Sequence, residues 1–199
     1  MFRKTAILAA VLTGAAIQLT TTSAFAQDAA SFFSAPFNQP GAVVNAGGRP
    51  QQMAVPRETV AYSARFAPGT IVISTKERRL YYVLGNGQAV RYGVGVGRPG
   101  FTWGGTKAIT RKAEWPSWTP PAQMLKRRPD LPRHMKGGPD NPLGARAMYL
   151  GSSLYRIHGS NEPWTIGQAV SSGCIRMTNE DVMDLYARVK VGTHVVVQN

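Results

Sequence analysis

The chain holds one cysteine, Cys174, in 199 residues. A single thiol cannot close an intrachain disulfide, so no covalent staple is available to the fold. Nor can it supply the several thiolates of a structural zinc site. Cys174 and the three histidines, His134, His158 and His194, do not fall at the ligand spacing of a metal centre, and neither metal nor cofactor is expected. The missing Cys-x-x-Cys pair removes dithiol exchange as a function. Acids are scarce as well, with 10 Asp and Glu against 23 Lys and Arg. Long apolar runs are lacking except near the N-terminus.

That N-terminal segment, residues 1–26, reads as a secretory signal peptide. Arg3 and Lys4 form a basic start, a mainly apolar stretch follows to about residue 19, and Ala24-Phe25-Ala26 ends it as a small-residue cleavage site. Thr and Gln interrupt the apolar run, which argues against a permanent membrane span. No cysteine sits near the cleavage site, so lipid anchoring through an N-terminal cysteine is excluded. The mature chain is expected in the periplasm, with 21 basic and 10 acidic residues and a formal charge of +11. Such a field attracts polyanions. An exported protein rarely meets nucleic acid, so anionic cell-wall polymer or lipopolysaccharide is the expected partner, with a simply solvated basic surface as the alternative that composition leaves open. Export also sharpens the meaning of Cys174. A free thiol in an oxidising compartment is either buried as a small hydrophobe or kept for chemistry.

Residues 27–68 are rich in Ala, Pro, Gly, Gln and Asn and read as a flexible arm. From residue 69 to 199 the pattern is that of a mostly β domain. Residues 70–75, 80–84, 88–96, 106–114, 147–150, 154–157 and 194–198 are short runs enriched in β-branched and aromatic residues. Asn86-Gly87 marks a hairpin between the second and third. One helix is expected: Thr178-Asn179-Glu180-Asp181 resembles a capping box, and Val182, Leu185, Tyr186 and Val189 recur at helical spacing.

Residues 115–144 break both periods. Seven of the 14 prolines fall there, with Lys126, Arg127, Arg128, Arg133 and Lys136. Long irregular insertions in compact domains serve function or are disordered. The embedded Trp115, Trp118, Met124 and Leu131 favour a packed, basic, substrate-facing lid.

Cys174 stands in Ser171-Ser172-Gly173-Cys174-Ile175-Arg176, and His158-Gly159 lies sixteen residues upstream. Glycine beside the cysteine permits a tight turn, and amides near Gly173 and Cys174 are candidates to face a developing oxyanion. In an extended strand Arg156 and His158 share one face, with Tyr155 and Ile157 on the other. A strand-end histidine beside a turn-borne cysteine is a plausible base and nucleophile, although one such pair is weak evidence by itself.

The ordered set is far more specific. His158-Gly159 followed by Ser171-x-Gly173-Cys174-Ile175-Arg176 resembles the L,D-transpeptidase catalytic domain of bacterial cell-wall enzymes. Leu80-Tyr81-Tyr82, residues 93–97, Asn141-Pro142-Leu143-Gly144 and Tyr155-Arg156-Ile157-His158-Gly159 extend the likeness across the domain. The resemblance implies a β-sandwich-like fold with one amphipathic helix and the Pro-rich basic lid. It implies that Cys174 attacks a peptidoglycan stem tetrapeptide at its meso-diaminopimelate–D-alanine bond. A thioester forms, and an amine resolves it: a second stem peptide, or an outer-membrane protein. His158 carries the proton. Gly159, Ser172 and Gly173 are expected to orient the imidazole or the oxyanion. Arg176, Ser171 and Tyr155 are expected to bind substrate, with a structural salt bridge as the alternative for Arg176. Many members carry histidine where this chain has Ser172. Water as acceptor gives an L,D-carboxypeptidase instead, and loss of chemistry gives a wall-binding module.

Overall fold

A computed structural model describes residues 55–63 and 65–199; the signal peptide expected over 1–26 and most of the 27–68 arm lie outside them. The strands are β1 (Glu58–Ala61), β2 (Ile71–Ser74), β3 (Arg79–Gly85), β4 (Gln88–Gly93), β5 (Val96–Gly97), β6 (Gly105–Glu114), β7 (Arg146–Leu150), β8 (Arg156–His158), β9 (Ala169–Ser171), β10 (Ile175–Arg176) and β11 (His194–Gln198). Two α-helices accompany them, α1 (Ala122–Arg127) and α2 (Asn179–Arg188). The described chain is therefore mostly β. Nine strands form one sheet in the order β1-β4-β3-β2-β11-β6-β7-β8-β10, and β5 pairs with β9. No helix among the described residues is long and apolar enough to cross a membrane.

Local chemistry explains the frame. Asn86 and Gly87 both take positive φ, 49° and 72°, as a type I′ turn between β3 and β4 requires. Strand β2 lies between β3 and β11, and Ile71, Val72 and Ile73 are all buried. A consecutive apolar run suits a strand covered on both faces. Helix α2 drops Val182 and Leu185, and its C-cap drops Val189, into the same core as Met148, Ile157 and Met177. Each such side chain contributes roughly 1.5–3 kcal/mol.

Both ends of α2 are tied down. Thr178 accepts a hydrogen bond from the Asp181 amide at 3.0 Å, the N-cap expected from sequence. Lys112 donates its ammonium to the carbonyls of Tyr186 and Val189, satisfying the C-terminal turn. The first helical residue, Asn179, accepts from the Ala145 amide at 2.8 Å. This bond fixes the helix start behind the strand end that carries His158.

Several elements depart from the expected pattern. Strand β1 lies inside the 27–68 segment expected to be a flexible arm. It pairs antiparallel with β4, and Tyr62 just beyond it stacks on Tyr81 at 4.8 Å. The apolar run 88–96 is broken because Gly95 exchanges hydrogen bonds with Arg176 rather than continuing along β3. Strand β8 begins at Arg156 instead of residue 154, since Ser153 folds its hydroxyl back onto the Leu150 carbonyl at 2.6 Å and prolongs the turn. The lid contains the short helix α1 and an antiparallel bridge between Trp118 and Met135, neither of which shows in the apolar periodicity.

Candidate active site

Strands β8 and β10 run parallel, with Ile175 beside Ile157 and Arg176 beside His158. This register brings the Cys174 turn alongside the end of β8. Ile157 points into the core at 0% exposure, so its neighbours Arg156 and His158 face the opposite way. They line a cleft of about 410 Å³ together with Cys174 and Arg176. The lid forms the facing wall through Trp118, Met124 and Arg127.

The turn holding Cys174 is fixed by its own backbone and by its neighbours. Gly173 has φ +105°, and a Cβ there would lie 2.6 Å from the Tyr155 ring. Any side chain is therefore excluded by both backbone conformation and contact. Ser171 is buried, accepts from the Gly173 amide at 3.1 Å and donates to the Cys174 carbonyl at 2.6 Å. Its hydroxyl thereby closes the turn, while Ser171 also borders the cleft. The Gly173 amide, one of the expected oxyanion donors, is engaged by the same bond.

Tyr155 borders the cleft as well. It stacks flat on Trp103, centroids 4.5 Å apart and planes 3° apart, and supports the Gly173 turn from below. Trp103 then donates its indole N–H to the Gly173 carbonyl at 2.7 Å. Sequence reasoning missed Trp103 because it sits in a glycine-rich stretch without strand periodicity. Ser172 faces the cleft and accepts from Arg98 at 3.4 Å. Arg176 pairs with Glu162 at 2.7 Å and reaches Thr165 at 3.4 Å. The structural salt bridge weighed for this residue is present, and Arg176 also borders the cleft.

His158 is buried, and its Nδ1 lies 2.6 Å from the Gly159 carbonyl. That bond requires the proton on Nδ1, leaving the Nε2 lone pair free. Burial, with help from Arg176 and Arg156, lowers the imidazole pKa to about 3. Burial pushes the Cys174 thiol up, while the Arg156 and Arg176 guanidiniums pull the other way. Both groups are thus neutral near pH 7. The thiol donates to the Leu154 carbonyl at 3.7 Å, and no hydrogen bond joins it to His158 among the described residues. Arg156 has a buried Nε without a hydrogen-bond partner among those residues. Alternation along β8 had already placed Arg156 on the His158 face.

The family model of the YkuD L,D-transpeptidase catalytic domain matches residues 68–197. The chain belongs to this family. A probable L,D-transpeptidase of Escherichia coli, ErfK/SrfK, is 39% identical over 155 residues, covering 73% of this chain and 46% of the relative. A second from the same organism, YbiS, is 41% identical over 134 residues, covering 63% of this chain and 43% of the relative. The chain spans about half the length of these curated relatives. Among solved structures, an L,D-transpeptidase from Mycobacterium smegmatis superposes with a TM-score of 0.52 at 20% identity, covering 65% of this chain and 58% of that one. This likeness establishes the shared fold. Within the L,D-transpeptidase domain, the Cys174 turn, the end of β8 and the lid are the parts that border the cleft.

Proposed function

We propose that the protein is a periplasmic L,D-transpeptidase that works through a thioester on Cys174. The observation that carries this reading is the parallel β8–β10 register, which sets the Cys174 turn and His158 on the wall of one cleft. His158 Nε2 takes the thiol proton as sulfur attacks the carbonyl of the diaminopimelate–D-alanine bond. The C–N bond then breaks, the leaving D-alanine nitrogen takes that proton, and the diaminopimelate acyl group remains on sulfur. An amine attacks the thioester, gives its proton to His158, and returns the thiolate, which is reprotonated.

The neutral resting pair suits this order, because a proton moves only when a substrate carbonyl is in place. The Gly159 carbonyl holds the ring in the productive tautomer. With the Gly173 amide engaged, the amide of Cys174 and the Arg156 guanidinium are the oxyanion donors of this mechanism. The signal peptide expected over residues 1–26 delivers the chain to its peptidoglycan substrate.

Incubation of the purified protein with a disaccharide-tetrapeptide tests the reading. Intact mass should rise by the acyl group at Cys174, and an added amine acceptor should yield a cross-linked muropeptide with release of D-alanine. A Cys174→Ala protein that still formed cross-links would overturn it.

A further inference from the structure

Several arginines in the described chain hold an acid: Arg91 binds Glu58, Arg146 binds Glu114, Arg176 binds Glu162 and Arg188 binds Asp184. Arg98 and Arg127 are among those that do not, and they meet at one aromatic ring that borders the cleft. Arg98 lies 4.2 Å from the centre of the Phe101 ring, and Arg127 lies 5.6 Å from the centre of the same ring. Neither has a carboxylate within salt-bridge distance among the described residues.

Their placement is built from two separate parts of the fold. The Arg98 amide bonds to the Ser171 carbonyl at 3.0 Å, continuing the β5–β9 pairing, and its guanidinium reaches Ser172. Arg127 ends α1 in the lid and lines the cleft with Phe101 and Ser172. Like charges brought to one ring repel each other, and Arg98 is also partly desolvated. Burial and Arg127 together hold its guanidinium below the usual arginine range. Phe101 stacking offsets part of that cost, but it neutralises nothing. An anion between the two guanidiniums would.

We propose that Arg98 and Arg127 form a two-armed clamp for a free carboxylate of the acyl donor, with Phe101 as the ring on which both arms rest. The inference rests on the reading of the chain as an L,D-transpeptidase and adds a specificity determinant to it. Planar guanidiniums match a carboxylate in a way that lysine does not. One arm sits on the rigid β framework and the other on the lid, so a bound carboxylate also draws the lid towards the Cys174 turn. The tetrapeptide offers two such groups near the scissile bond: the side-chain carboxylate of diaminopimelate and the terminal carboxylate of D-alanine.

The test compares three donors: the free tetrapeptide, one amidated on the diaminopimelate side chain, and one amidated on D-alanine. With the wild type, amidating the clamped group should lower kcat/KM about ten- to hundredfold, the range of a charge-assisted bond. In Arg98→Gln and Arg127→Gln the free donor and that amide should converge to one rate. The arm that converges identifies the carboxylate. Wild-type protein indifferent to both amides, or variants that keep the full wild-type preference, would overturn the clamp. A second readout needs no turnover. The ratio of Cys174 alkylation by iodoacetate to that by iodoacetamide should fall several-fold in the Arg98→Gln/Arg127→Gln double variant, and an unchanged ratio counts against the clamp. If the wild type accepts no donor but this ratio still falls, the proposed reaction fails while the anion site stands. Melting temperatures of the variants report that they remain folded.

Discussion

Trp103 donates its indole N–H to the Gly173 carbonyl at 2.7 Å while its ring lies flat against Tyr155. One side chain therefore fixes both the backbone just before Cys174 and the aromatic floor beneath it. Trp103→Phe retains an aromatic surface for Tyr155 and leaves the Gly173 carbonyl unpaired. It should cost about 1–3 kcal/mol of stability. The rate of Cys174 acylation should fall roughly ten- to hundredfold, because small displacements of a reacting group are costly. Denaturant unfolding and intact-mass acylation kinetics measure the two effects. Loss of stability with an unchanged acylation rate would show that the bond serves the fold alone.

Gly173→Ala tests the same turn from the other side. The added Cβ meets Tyr155 at 2.6 Å, and φ +105° is unfavourable for any residue with a side chain. Destabilisation of about 1–3 kcal/mol is expected from the backbone alone. Combining it with Tyr155→Ala relieves the contact but not the backbone strain. Thermal unfolding should therefore show partial recovery, and full recovery would assign the whole cost to the ring.

Much of this arrangement was legible in the residues. Asn86-Gly87, the Thr178 cap and the β-branched runs specify turns, a helix start and strands through local chemistry. Cys174 and His158 stood out because one is unique and the other ends a strand. What stayed hidden depends on partners distant in sequence. Strand β1 exists because β4 offers it an open edge, and its residues have no apolar alternation of their own. Trp103 matters only because residue 173 folds back over it. Ser171 borders the cleft, but its part in closing the turn depends on where Gly173 and Cys174 fold back on it.

His158 makes the fold sensitive to acid. Its pKa falls from 6.5 to about 3 on burial. Below pH 6.5 the unfolded chain takes up a proton that the folded chain refuses, so stability declines as pH drops from 6.5 towards 3. The contribution is complete above the unfolded value and worth on the order of a few kcal/mol. His158→Gln should flatten this acid limb in melting temperature measured against pH. His194→Gln, at an exposed strand start, should leave the limb in place. Parallel limbs for wild type and His158→Gln would place the acid sensitivity elsewhere.

Glu162 isolates the role of Arg176. Their 2.7 Å pair is largely shielded, with side-chain exposures of 17% and 25%. Removing either partner strands the other, at about 1–3 kcal/mol for a charged group losing its bond. Glu162→Gln, Arg176→Met and the double variant form a cycle. The double should be no less stable than the worse single if the pair acts as a unit, and additive losses would show that each residue has separate partners.

Arg156 and the Cys174 thiol oppose each other in charge preference. Burial raises the thiol pKa, and Arg156 is the foremost influence drawing it back. Iodoacetamide alkylation of Cys174 should therefore rise with pH and have its midpoint above the ordinary thiol range. Arg156→Met removes the cation and should move that midpoint further up, slowing alkylation at neutral pH roughly three- to tenfold. Arg156→Lys keeps a charge and should recover part of the rate. His158→Gln is the informative comparison, because His158 is neutral near pH 7 and exerts no cationic pull on the resting thiol. Its alkylation profile should follow the wild type while its transpeptidation is lost. An alkylation midpoint that rises in His158→Gln and stays put in Arg156→Met would instead make an imidazolium the partner of the thiolate, and would replace the neutral pair with an ion pair at rest.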